Sequence, residues 1–247
     1  MTGAALPGAI PADWPTAPVD FRQRARLPEI MDDDGLDAAT YAAVIADLAR
    51  VNTITRARPP TLAWLKQATR GMRQFTLLDV GFGHGDMLRA IAGWAREAGI
   101  KARLAGVDLN PRSAPIAQAA SDPALNIGYH TGRAEALDLA PDFIISSLVA
   151  HHMEDDELLA FIGWMQATAR RAWLINDLHR HPLAWAGFRL LAGAARWHPI
   201  VRHDGALSVR RAFTRADWDR LLAAAGVSAS VHWHLPFRWT VSACRPS

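Results

Sequence analysis

The sequence predicts an α/β fold: a seven-stranded, mostly parallel sheet that ends in an antiparallel hairpin and carries a helical extension at its N-terminus. Three observations predict it. Strand-like apolar runs alternate with helical periodicity from about residue 75 onward, an order that gives right-handed crossovers and a parallel sheet covered on both faces. The last two β-rich runs, "SASVHWH" and "FRWTVSA", are separated only by Leu235 and Pro236, too few residues for a parallel crossover, so they pair antiparallel. With 247 residues, 50% of them hydrophobic, the chain buries one sizeable core.

The elements follow in order. Residues 1–30 include "LPGAIPADWPTAPVDF", whose prolines neither continue a helix nor fill a central strand, and they read as a loose or surface-draped lead-in with function starting later. Residues 31–74 read as a helical extension that caps the substrate site. From Asp37, Tyr41, Val44, Ile45, Leu48 and Val51 share one helical face, and Pro59-Pro60 stops the chain before a short helix carrying Leu62, Trp64 and Leu65. Residues 75–247 form the main domain. In it, "FTLLDV" is a strand, Asp86 to Ala98 a helix stopped by Gly99, and "ARLAGVDL" a strand. Asn110-Pro111 opens a helix to about Ala120 as an N-cap with proline at the first helical position. "LNIGYH" and "DFIISSLV" are strands, "DDELLAFIGWMQATA" a helix and "RAWLIND" the fifth strand. Thr214, with Asp217 three residues on, resembles a capping box for a helix that ends at Gly226.

Composition excludes several function classes. The 27 basic residues, 25 of them Arg, face 24 acids and are spread along the chain, so no clustered nucleic-acid footprint is expected. The single Cys244 rules out an internal disulfide and a cysteine-based zinc site. No run reaches the roughly 18 apolar residues of a membrane span, and no leader pattern opens the chain. The expectation is a cytoplasmic protein with no stable membrane insertion, for which a homodimer stays open.

The chemistry begins at "TLLDVGFGHGDM", where an apolar strand ends in Asp79 and breaks into Gly81, Gly83 and Gly85. A dinucleotide fingerprint spaces its glycines differently, with the third one residue later, and a carboxylate before the turn repels a pyrophosphate. It suits a ligand with an ammonium group. Asp108 ends the next strand, 27 residues after Gly81, where an acid accepts hydrogen bonds from ribose hydroxyls. An adenosine that bears an amine and no phosphates fits both.

With "LLDVGFGHG", "GVDLN" and "DFIISSLVAHHMEDDEL" in this order, and a terminal hairpin after them, the chain resembles the class I S-adenosylmethionine-dependent methyltransferases, whose fold is Rossmann-like. The resemblance implies S-adenosyl-L-methionine as cofactor. It implies that Gly81, Gly83 and Gly85 let the cofactor approach the backbone, that Asp79 meets its amine and that Asp108 holds its ribose. Phe82, Leu109, Ala134 and Ser147 complete the implied cofactor-binding set. The family's acidic residue after the third strand is replaced in Gly132-Arg133-Ala134, and arginine cannot accept the adenine amine's hydrogen bond.

The acceptor is approached through the histidines. The Asn/Asp-Pro-Pro-aromatic tetrapeptide of base N-methylating relatives is missing after the fourth strand, where Ser147 leads to His151 and His152 instead. Histidine has the right pKa for a general base toward a phenol. Asp177 and His179 follow the fifth strand and face the same pocket, since open α/β sheets bind ligands at the carboxyl ends of their strands. His151 or His152 is therefore the expected base and Asp177 or His179 its helper. Asp177, His179, His181 and His203 are also metal-ligand types, but a two-residue spacing in a loop has little specificity, and no metal is assigned. The apolar stretch 181–201 lies where the fold commonly inserts a lid.

A finer resemblance, carried by "LPEIMDDDGLDAATYAAVIADLARVN", "NDLHRHPLAW" and "VRHDGALSVRRAF", is to a bacterial subgroup associated with type III polyketide synthases and phenolic lipids. It implies a lipophilic, hydroxylated small-molecule acceptor from secondary metabolism, methylated at oxygen or carbon. The competing readings are a methyltransferase acting on a protein or RNA, and a non-catalytic cofactor-binding partner.

Overall fold

The computed structural model describes residues 18–33 and 35–245; the first seventeen residues of the expected lead-in lie outside them. Seven strands form one sheet in the order β3-β2-β1-β4-β5-β7-β6. They are β1 Gln74–Val80, β2 Lys101–Asp108, β3 Gly128–Thr131, β4 Phe143–Ser147, β5 Ala172–Leu178, β6 Ser230–His234 and β7 Arg238–Cys244. Strands β1 to β5 pair in parallel, whereas β7 runs antiparallel to both β5 and β6. The order reverses beside β1, and its carboxyl end is the crevice where an open α/β sheet binds ligands.

The helices are α1 Ala38–Ile54, α2 Arg58–Ala68, α3 Asp86–Glu97, α4 Ser113–Ala119, α5 Asp155–Thr168, α6 Pro182–Ala194, α7 Pro199–Arg211 and α8 Arg215–Ala225. One sheet face packs Leu77, Phe143, Ile145 and Leu174 under α2 and α3 through Leu65, Leu88 and Ile91. The other packs Ile144, Trp173, Ile175 and Val241 under α5 and α8 through Leu158, Ile162, Trp218 and Leu221. Helix α2 thus belongs to the sheet layer. A third cluster joins Ile30, Val44 and Val51 to Ala192, Trp197, Ile200 and Val201. It makes one cap from the lead-in, α1 and the α6–α7 hairpin.

Several local expectations change. Pro59 and Pro60 begin α2 rather than precede it, because first-turn N–H groups need no intrahelical partner. Asn110 and Pro111 form a turn in which the Asn110 side chain accepts the Arg112 N–H, and α4 starts only at Ser113. The stretch 181–201 divides into α6 and the start of α7. Each of these helices has proline at its first turn and a histidine cap: His181 accepts the Leu183 N–H, and His198 that of Ile200. The Thr214–Asp217 box caps α8 as read from the sequence. Among the described residues, no helix is long and apolar enough to cross a membrane.

Candidate active site

A cavity of about 1010 Å³ opens at the carboxyl ends of β1, β2, β4 and β5, beneath α1 and α6. Its first end is the glycine turn. Gly81, Gly83 and Gly85 have φ of 76°, 51° and 76°, left-handed values that favour glycine. At Gly81 the bare Cα is also a packing need, since a Cβ would stand 2.3 Å from Val149 Cγ2. The Phe82 ring packs in the core, where a Cβ on Gly106 would meet it at 2.6 Å. Phe82 also lines the cavity.

Asp108 anchors this turn. One of its carboxylate oxygens accepts the Gly83 N–H and the other the Asn110 N–H, both at 2.9 Å. Asp79 is 2% exposed, and its Oδ1 has no hydrogen-bond partner among the described residues. Burial first, then the charges of Asp86 and Asp108, push its carboxyl well above the usual range. A buried carboxyl with an unmatched oxygen at the cavity wall is a receptor for a cation, the need that an ammonium group meets. Asp86, at the start of α3, lines the same end with Arg58 Nε 3.9 Å away.

Ala134, Ser147 and Leu109 line the cavity, the last as an exposed residue of the rim. Arg133 also lies there and pairs with Glu135 at 3.5 Å, so a carboxylate does stand near the position the sequence left without one. The turn geometry, the orphaned Asp79 oxygen and the acid at the end of β2 fit S-adenosylmethionine: Asp79 would hold the amine, Asp108 the ribose and the glycine backbone the methionine chain.

The second end holds the histidines. Leu148, with φ of 61°, follows β4 and starts a tight turn that delivers His151 and His152. The Asp177 carboxylate, fully buried at the end of β5, accepts His151 Nδ1–H at 2.7 Å and the His151 backbone N–H at 3.0 Å. Burial would raise the Asp177 carboxyl, but the His151 charge and these bonds hold it below its ordinary value. His152 Nδ1 meets Asp32 Oδ2 at 3.0 Å. Burial pulls the His152 pKa down, yet Glu29 and Asp32 outweigh it and push it up to about 9. The two rings lie 4.4 Å apart.

His179 lines the cavity but belongs to another group. It accepts a bond from Trp233 Nε1 at 3.1 Å and lies against His181, Phe237 and Trp239. Burial first, then the charges of His181 and Arg180, lower its pKa to about 4. Asp177, not His179, is the partner that orients His151. His203 stands apart too, paired with Asp204 at 2.8 Å.

Sequence reasoning missed Glu29 and two arginines. Glu29, assigned to a loose lead-in, is 1% exposed, with Oε1 3.9 Å from His151 Nε2 and Oε2 3.7 Å from His152 Nε2. The described part of the lead-in is thus packed rather than loose, and it places Glu29 beside the two histidines. Arg211 donates to the carbonyls of His151 at 3.0 Å and His152 at 2.8 Å and also to that of Leu27; Arg24 donates to those of His151 and Met153. The only sequence signal was a run of charges in a segment with no periodicity.

The comparisons agree with this geometry. The family described as "Methyltransferase domain" matches residues 77–171. A S-adenosylmethionine-dependent methyltransferase from Aquifex aeolicus superposes with a TM-score of 0.59 at 18% identity, covering 84% of this chain and 98% of that one. Magnesium protoporphyrin IX methyltransferase from Synechocystis PCC 6803, with bound S-adenosylhomocysteine, gives 0.52 at 17% identity, covering 88% and 91%. The plantazolicin methyltransferase BpumL, in complex with a desmethyl analog and S-adenosylhomocysteine, gives 0.59 at 11% identity, covering 87% and 91%. No functionally curated protein matches the sequence. Residues 77–171 thus match the methyltransferase-domain family, and the chain as a whole has the fold of S-adenosylmethionine-dependent methyltransferases.

Proposed function

We propose that this S-adenosylmethionine-dependent methyltransferase acts on a hydroxylated, lipophilic small molecule of phenolic or polyketide type, at oxygen or at an activated carbon. One observation carries the reading: a single cavity joins the glycine turn to a buried imidazole, His151, whose Nδ1 is committed to Asp177 and whose Nε2 lone pair is therefore free. The wall between these ends is apolar, formed by Met31, Ile45, Leu48, Leu183, Phe188 and Leu191.

When bound, S-adenosylmethionine supplies a methyl group already activated as a sulfonium. The chain then has three tasks. Asp79, Asp108 and the backbone of the turn fix the donor. The aliphatic side chains of α1 and α6 hold the acceptor's hydrocarbon and keep water from the line of attack, which strengthens every charge interaction inside. At the polar end the acceptor hydroxyl ionises against His151 Nε2, while Asp177 keeps the ring in the tautomer that leaves this nitrogen bare. The cavity size and the small acceptors named for the Synechocystis and plantazolicin enzymes support a small-molecule substrate.

The test is incubation with methyl-labelled S-adenosylmethionine and a panel of alkylresorcinols, alkylpyrones and quinols, read by mass spectrometry. A labelled phenol ether or ring-methylated product is expected. If calorimetry shows cofactor binding and every panel member stays unlabelled, the acceptor class is wrong.

A further inference from the structure

We propose that Glu29, His151 and His152 form a binding site for a divalent first-row transition metal ion, of the zinc or cobalt class, at the acceptor end of the cavity. Their ligand atoms all lie within 4.8 Å of one another. The Glu29 oxygens are 3.9 Å from His151 Nε2 and 3.7 Å from His152 Nε2. A tetrahedral ion with bonds of about 2.0–2.2 Å places its ligands roughly 3.4 Å apart, so the three ligand atoms, within 4.8 Å of one another, draw together when the ion binds.

What separates this cluster from a chance meeting of three side chains is its support. Metal-bound histidines give their other ring nitrogen to a carboxylate or carbonyl, which fixes the ring and raises its basicity. Both histidines do so here, His151 Nδ1 to Asp177 at 2.7 Å and His152 Nδ1 to Asp32 at 3.0 Å. Both Nε2 atoms stand on the side of Glu29, and an ion bound there takes the place of the proton that the neighbouring carboxylates favour on His152. Glu29 is steadied in turn, its Oε1 accepting the Ser208 hydroxyl at 2.8 Å. The turn that carries the rings is clamped by Arg211 and Arg24 through its carbonyls. Glu29 and His151 are buried, and all three residues face the cavity.

Two imidazoles and one carboxylate select zinc, cobalt, iron or manganese over magnesium or calcium. Three protein ligands with the fourth direction open to a cavity is the arrangement of a catalytic rather than a structural ion. The inference rests on the proposed acceptor reading for what fills that direction: the acceptor's hydroxyl oxygen. It also refines the role of His151. Its Nε2 lone pair goes to the ion, and the ion, as Lewis acid, lets the hydroxyl proton leave to solvent. No electron changes hands, and the ion remains divalent.

The experiment uses untagged, chelator-treated full-length protein titrated with Co(II), read by visible absorption, with cofactor affinity measured by calorimetry as a check on folding. One equivalent of cobalt with ligand-field bands of a low-coordinate nitrogen and oxygen site is expected. Glu29→Gln and His152→Gln should each weaken it at least a hundredfold, Asp32→Asn about ten- to a hundredfold, and His179→Gln should leave it unchanged. No cobalt bands, or bands that survive Glu29→Gln and His152→Gln in variants that still bind cofactor, would overturn the site. The two proposals fail separately. Labelled product from metal-free protein that takes up no cobalt removes the ion and keeps the acceptor. Glu29-dependent cobalt binding with no labelled product keeps the ion and removes the acceptor class.

Discussion

His151 Nδ1 lies 2.7 Å from one oxygen of Asp177, and the other oxygen of that carboxylate accepts the His151 backbone N–H at 3.0 Å. The side chain at the end of β5 thus fixes both the ring and the main chain of the turn after β4. Two neighbouring parallel strands, registered as Ser147 beside Asn176, bring the pair together.

Asp177→Asn tests that coupling. An amide keeps the volume but offers His151 an N–H as readily as an oxygen, so the ring loses its fixed tautomer. We expect kcat to fall about a hundredfold or more, with cofactor affinity within about twofold of wild type, because no cofactor ligand is touched. Unchanged kcat would refute the role of Asp177.

At the other end, the carboxyl of Asp79 is raised well above its ordinary value by burial and by Asp86 and Asp108. A bound ammonium group favours the ionised form, so binding lowers this pKa and releases a proton. By linkage, cofactor affinity rises with pH until the raised pKa of the free protein is passed. Asp79→Asn should remove the proton release and weaken binding by about ten- to a hundredfold, the size of one hydrogen bond to a charged group. Calorimetry in two buffers of different ionisation enthalpy measures both. Equal proton release in the variant would place the cation elsewhere.

His179 makes a different prediction, about stability. Its folded pKa of about 4 lies below the ordinary 6.5. As pH falls, the unfolded chain takes up this proton first. The stabilisation is complete above about pH 6.5 and is lost as pH falls toward 4. The bond from Trp233 Nε1 agrees, because only a neutral ring accepts it at Nδ1. Urea midpoints at pH 7.5 and pH 5 should therefore differ less in His179→Gln than in wild type. Equal differences would show that His179 does not titrate in this window.

The sheet was legible because its signals are local: the central strands β1, β4 and β5 are largely apolar runs, and the short gap at Leu235-Pro236 admits one pairing alone. The cofactor end was legible for the same reason, since Asp79 and the glycines are neighbours in sequence. The acceptor end was legible only in part. His151 and Asp177 were named, but no spacing told that His179 would turn to Trp233 instead. Glu29 was invisible. It sits far from the histidines in the chain, among prolines and charges with no period, and only the cap of α1, α6 and α7 folds it over them. Metal sites assembled from such distant segments carry no spacing signature.

Arg211 holds that cap to the sheet. It is the last residue of α7 and 8% exposed, and its guanidinium reaches the carbonyls of His151, His152 and Leu27. Three main-chain acceptors, one for each guanidinium nitrogen, suit a forked donor, and the single ammonium of lysine would reach one or two of them. Arg211→Gln takes a donor from the partly buried carbonyls of Leu27 and His152, while that of His151 keeps Arg24, and an unmatched acceptor costs about 1–3 kcal/mol. We expect a loss of stability of about 2–4 kcal/mol, read from urea unfolding. At temperatures where the variant stays folded, cofactor affinity should hold, because Arg211 makes no hydrogen bond to Asp79, Asp108 or the glycine turn. Turnover should fall, because the His151–His152 turn and Glu29 lose their common support. Arg211→Lys should recover part of the stability. Full turnover in Arg211→Gln would mean that β4 and Asp177 alone position the histidines.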